Sequence, residues 1–82
     1  MESEYIGILR SLGETLRSRR EEIGLSQEEV SFSAGIHRTY LSQIELGARN
    51  PSFIVLVRIC EALNTSLVEV AGECFSKIKN NM

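Results

Sequence analysis

The sequence has no tryptophan, no aspartate, a single histidine (His37), a single proline (Pro51) and two cysteines, Cys60 and Cys74. Each shortage narrows the chemistry open to the chain. A zinc site asks for four ligands at close spacing. One histidine and two distant cysteines without a C-x-x-C do not supply them, so no metal is expected. The same two cysteines are too sparse to staple a secreted domain and point to a reducing, cytoplasmic setting. Cys60 lies in an apolar pattern and is most simply a small core residue. There is no glycine-rich phosphate loop and no nucleophile beside an evident base, so neither an enzyme nor a cofactor is expected. No apolar run approaches the ~20 residues of a membrane span. The opening MESEYIGIL carries acidic residues where an export signal has basic ones, so no leader and no membrane partner are expected.

What is present is an 82-residue chain, 43% hydrophobic. That suits one globular domain over residues 1–82, too small to bury much surface by itself and therefore helped by association. The net charge of −2 does not suggest nucleic acid. Its distribution is more informative. Residues 1–30 hold four arginines against seven glutamates, residues 31–60 hold Arg38, Arg49 and Arg58 against Glu45 alone, and the remainder is net −1. The middle segment is the only positive one, and a local field guides binding even in an acidic protein.

Helical spacing dominates, and no stretch alternates as a strand. Leu9, Leu12, Leu16 and Ile23 mark one face of a first helix over about residues 6–22, stopped by Gly24. Ser26 with Glu29 is a capping box that opens a second helix, and Gly35 closes it. A third runs from His37 to Leu46 before Gly47. Asn50 or Ser52 caps a fourth near Pro51, with Phe53, Leu56, Ile59, Cys60 and Leu63 inward and Asn64 at its end. Ser66 with Glu69 reads as another capping box, starting a fifth helix that reaches about Lys79. In that helix Leu67, Val70, Ala71, Cys74 and Ile78 form one stripe, while Val68 and Phe75 lie on another face. So small a core has no use for both. Leu67, Val68 and Phe75 are therefore the candidate homodimer interface.

Residues 26–47, SQEEVSFSAGIHRTYLSQIELG, contain two short helices with almost nothing between them. Gly35 supplies the positive φ of a tight turn. Small Ser31 lets the two helices approach, and Val30, Ala34, Ile36, Leu41 and Ile44 fill the wedge. This is a helix-turn-helix. On a wheel, Leu41, Ile44 and His37 of the third helix point inward. Thr39, Ser42 and Gln43 point outward, with Arg38 and Tyr40 on the flanks. Arg38, Thr39, Ser42 and Gln43 are the candidate base contacts. Arginine forks onto guanine O6 and N7, glutamine onto adenine N6 and N7, and a threonine methyl meets that of thymine. Ser26 and Gln27 at the second helix start, Tyr40, and Arg49 with Asn50 in the following loop are candidate phosphate contacts, which fix register rather than sequence. Glu45 would repel DNA if free, so Arg20 at the end of the first helix is its expected partner.

The stretches LRSRREEIGLSQEEV, HRTYLSQIELGARNPS and LVRICEALNTSLVEV together resemble the Xre or lambdoid-repressor family of helix-turn-helix proteins, over about residues 9–71. The resemblance implies an all-α, compact, five-helix lambda-repressor-like DNA-binding domain acting as a symmetric dimer on operator DNA. It carries over Gln27 for a phosphate, Arg38, Thr39, Ser42 and Gln43 for bases, and Arg20 with Glu45 as the inter-helix pair. HRTYLSQIE followed by ARN is similar to the controller proteins of restriction–modification systems. Leu46 stands where the family usually has a polar or basic residue, and the tail GECFSKIKNNM extends past the shared core of residues 6–72.

The expected function is that of a sequence-specific transcriptional regulator binding a palindromic operator. Double-stranded DNA and a second copy of the chain are its partners, with RNA polymerase a further candidate through acidic Glu28 and Glu29; no small-molecule ligand is expected. Alternatives are an antitoxin or phage-type repressor of the same fold, or a protein-interaction module that has lost DNA binding.

Overall fold

Serine caps and left-handed turns, all local features of the chain, divide its described residues into five helices. The structure, a computed structural model, describes residues 3–80 and the side chains of 5–78. In order come α1 (Ser3–Glu22), α2 (Gln27–Ala34), α3 (Arg38–Glu45), α4 (Phe53–Ala62) and α5 (Leu67–Asn80), with no strand among the described residues. The all-α, five-helix class expected from spacing is the one observed. Met1 and Glu2 of the acidic start, and Asn81 and Met82 of the expected tail extension (73–82), lie outside the described residues. No described helix is long and apolar enough to cross a membrane.

The caps are physical stops and starts. Ser26 Oγ accepts from the Glu29 N–H, and the Glu29 carboxylate accepts from the Ser26 N–H, so two donors at the start of α2 are satisfied reciprocally. Ser52, rather than Asn50, caps α4 by accepting from the Val55 N–H at 3.2 Å. Ser66 Oγ accepts from the Glu69 N–H, but the Glu69 carboxylate accepts from the Thr65 hydroxyl at 2.8 Å instead of closing a second box.

α1 packs along α5 and across α3, while α2 packs on α3 and α4. Leu16, Val30, Ala34, Leu41, Ile44, Ile59, Cys60, Leu63 and Val70 meet as one core drawn from all five helices. At ~1.5–3 kcal/mol for each fully buried aliphatic side chain, this cluster is the main stabilising term. Leu12, Leu56 and Leu67 line its edge.

Three residues expected on inner faces are exposed. Ile23 follows the last residue of α1, where the chain already turns into Gly24, so the wheel no longer applies to it. Phe53 occupies the first position of α4, 68% exposed, and packing against the core begins at Val55. His37 is not in a helix. It is the residue before α3, with extended backbone (φ −71°, ψ 143°), and its side chain points to solvent.

One close approach has no counterpart in the hydrophobic pattern. Where α1 crosses the C-terminal end of α3, Gly13 rests against the backbone. A Cβ there would overlap the carbonyl oxygens of Ile44 and Glu45. Glycine is what brings α1 close enough to grip the last turn of α3.

Candidate nucleic-acid interface

The geometry of α2 and α3 begins with Gly35. At φ +72° its N–H bonds the Phe32 carbonyl, and the next N–H, from Ile36, bonds that of Ser31. The turn ends α2 and redirects the chain within three residues into α3. Helix α3 then buries one face completely. Leu41 and Ile44 are fully enclosed, and Glu45 is 7% exposed. On its other side Arg38 and Thr39 are exposed, and Tyr40, Ser42 and Gln43 are half-buried.

Glu45 is the anchor of this helix. Its carboxylate receives Arg20 Nε at 2.7 Å and Arg20 Nη2 at 3.0 Å, the bidentate fork of an arginine–carboxylate pair. Arg20 also donates to the Leu25 carbonyl at 3.0 Å. The hydrogen bond to Glu45 raises the guanidinium's pKa further above its already high value. The Arg20 and Glu45 side chains retain only 12% and 3% of their exposure. The C-terminal end of α1 is thus tied to the last turn of α3.

The pair extends toward the exposed face. Gln27 Nε2 donates to Glu45 Oε1 at 2.9 Å, and Gln27 Oε1 accepts from Arg38 Nη1 at 3.5 Å. Arg20, Glu45, Gln27 and Arg38 therefore form one chain of contacts across three helices. The Gln27 side chain, expected to meet a phosphate, is occupied inside the protein. The start of α2 keeps the Gln27 and Glu28 N–H groups, because Ser26 has both its hydroxyl and its N–H committed to Glu29. The Ser26 N–H foremost, and the Ser26 hydroxyl after it, hold the exposed Glu29 carboxyl below its ordinary pKa.

The second cluster lies at the other end of α3. Gly47, at φ +77°, closes α3 with its own N–H on Ile44 and the Ala48 N–H on the Gln43 carbonyl at 2.8 Å. The chain doubles back, and Arg49 lands over α3. Its guanidinium carbon sits 4.9 Å from the centre of the Tyr40 ring, and its Nη1 donates to Gln43 Oε1 at 3.1 Å. His37, Thr39, Tyr40, Gln43 and Arg49 line an open hollow of about 480 Å³ beside the outer face of α3. Asn50 is exposed beyond it.

The candidate association residues do not sit together equally. Val68 is 81% and Phe75 55% exposed, seven residues apart on one face of α5 with Gly72 between them. Leu67 is half-buried against the core. Leu46 and Phe32 are also exposed, at 69% and 89%. Among the described residues no cluster of three or more His, Cys or Glu side chains is placed to share a metal ion. Sequence reasoning missed the internal use of Gln27 and the return of Arg49 over α3. The i, i+3 spacing of Tyr40 and Gln43 was the one readable hint of the second.

Comparison with known proteins gives a consistent picture. The helix-turn-helix family model matches residues 16–70. The control protein C.SmaI of Serratia marcescens is 38% identical over 63 residues, 77% of this chain and 75% of that protein. The HTH-type transcriptional regulator YqaF of Bacillus subtilis is 48% identical over 66 residues, 80% of this chain and 87% of that one. Among solved structures, the restriction-modification controller protein C.AhdI from Aeromonas hydrophila superposes with a TM-score of 0.74 at 35% identity, over 76% of this chain and 94% of its own.

Proposed function

The chain belongs to the Xre-like helix-turn-helix family of transcriptional regulators, and from that membership we propose that it binds a palindromic operator as a homodimer and controls a restriction–modification system. The observation that carries the reading is the division of α3 into two faces. Leu41, Ile44 and Glu45 fix one face to the body of the protein, and Arg38, Thr39, Ser42 and Gln43 stand on the other. A helix held this rigidly presents its polar side chains without having to order them on binding. In this reading α3 enters the major groove and Arg38 forks onto a guanine. The Gln27 and Glu28 N–H groups at the start of α2, the Tyr40 hydroxyl and Asn50 meet phosphates, as does Arg49 through the donors that Gln43 leaves free.

The exposed Val68 and Phe75 support a two-fold dimer through α5, and residues 6–72 with the extension 73–82 form one domain over 1–82. Control of restriction–modification genes is favoured by the likeness to the control protein C.SmaI and the restriction-modification controller protein C.AhdI. Glu28, exposed on α2, is the surface offered to RNA polymerase, beside Glu29.

Selection from a randomised duplex library, followed by titration at several salt concentrations, tests the proposal. An inverted repeat with half-sites about 34 Å apart is expected. Affinity should fall with salt at a slope of about −0.9 per phosphate neutralised. No preferred sequence and no salt dependence would instead leave an interaction module acting through the apolar side chains of α5.

A further inference from the structure

Arg49 lies over the one glutamine among the candidate base contacts, and its chemistry limits what that glutamine can present. A guanidinium has only donors. Whatever bonds it within the protein must offer an acceptor, so Gln43 turns its carbonyl oxygen to Arg49 (Nη1 to Oε1, 3.1 Å). An amide's oxygen and nitrogen diverge from one carbon. With Oε1 turned toward Arg49, Nε2 and its two hydrogens turn away from the loop.

The arrangement is held from several directions. Tyr40 packs against the hydrophobic core, so the ring on which Arg49 stacks at 4.9 Å is a fixed platform. The backbone of Arg49 is placed by Gly47 and by the Ala48 bond to the Gln43 carbonyl. Gly47 is itself confined, since a Cβ there would come within 2.8 Å of Arg10 Cγ.

Bidentate adenine recognition needs both ends of the glutamine amide facing the base, the oxygen toward N6 and the nitrogen toward N7. The Arg49 contact takes one lone pair of that oxygen and sets a positive charge beside the other, so an adenine amino group donating there would meet a neighbouring guanidinium. Guanine instead offers two adjacent acceptors, N7 and O6, which suit Gln43 Nε2 and set no donor against the neighbouring guanidinium.

We propose that Arg49 is a specificity-determining residue. By holding the Gln43 side-chain oxygen beside a positive charge it leaves Nε2 as the end of the amide presented to a base, so that Gln43 selects guanine over adenine. The inference rests on the DNA-binding reading above, and deepens it at one base position.

The test is selection from a randomised duplex library with the full chain and with Gln43→Ala and Arg49→Ala, both at surface positions, with circular dichroism confirming the fold of each. Gln43→Ala identifies the base position that Gln43 reads, by its loss of preference there. Wild type is expected to select guanine at that position, and 7-deazaguanine placed there should weaken binding about tenfold. Arg49→Ala should lower affinity and also shift that one position toward adenine, leaving the position read by Arg38 unchanged. Adenine selected by wild type overturns the inference. So does a Gln43→Ala variant that changes no position, or an Arg49→Ala variant that weakens every sequence by the same factor. If wild type selects no sequence at all, the DNA-binding reading falls first and takes this inference with it.

Discussion

Arg20 and Glu45, twenty-five positions apart and on different helices, are joined by two hydrogen bonds of 2.7 and 3.0 Å with almost no solvent around either side chain. Removing one partner strands the other. Arg20→Ala should lower stability by about 3–5 kcal/mol, because it leaves a buried carboxylate with Gln27 as its remaining partner. Glu45→Gln should cost less, since the amide still accepts from Arg20. Urea midpoints of the two variants and of the double mutant give the coupling directly. An Arg20→Ala protein with an unchanged midpoint would remove the pair from the list of what holds α3 in place.

Two glycines in α1 should respond in opposite directions to the same change. Gly13→Ala forces a methyl group into the backbone carbonyls of Ile44 and Glu45, which cannot swing aside as a side chain would. A loss of about 1–3 kcal/mol is expected, at the upper end of that range. Gly7 is exposed with no atom near its missing Cβ. Gly7→Ala should raise stability by about 0.5–1 kcal/mol, the ordinary helix gain of alanine over glycine. Thermal melts of the two single variants check the sign of each.

The start of α2 should weaken in acid. The Glu29 carboxyl has its folded-state pKa lowered by the Ser26 N–H and hydroxyl. Its stabilising contribution is therefore whole above the unfolded-state pKa and disappears as the pH falls through the lower folded-state value. Glu29→Gln keeps an oxygen that accepts from the cap but cannot be protonated there. Its stability should fall less between neutral and acidic pH than that of the wild type. Equal slopes for both proteins would show that the cap does not respond to Glu29 ionisation.

Phe75→Glu puts a charge on the exposed face of α5 that carries Val68 and Phe75. In the dimer reading, sedimentation equilibrium should show a shift to monomer with the helical signal retained, because Phe75 is outside the core. Operator affinity should fall with it, since one subunit reaches only one half-site. A variant that still dimerises would move the interface to other exposed apolar residues.

The existence of five helices, their order and most of the core were readable in the chain, because each depends on short-range chemistry. A serine three residues before a glutamate, a glycine after the last apolar position and a repeat near 3.6 act within one or two turns. The separation of Leu41 and Ile44 from Thr39 follows from the same period. Where the readings failed, at Ile23, His37 and Phe53, the residue lay at or beyond a helix end, where the wheel loses its meaning.

What the sequence alone determined, then, is the set of helices and which face of each is apolar. Only the tertiary fold decided that Gly13 meets the carbonyls of α3, that Gln27 turns inward to Glu45 and Arg38, and that Arg49 returns to take the carbonyl of Gln43. Each of those contacts joins side chains or backbone from separate elements or from a loop folded back on its helix. Periodicity records the direction a side chain faces, but not the polar group it meets when a distant part of the chain arrives.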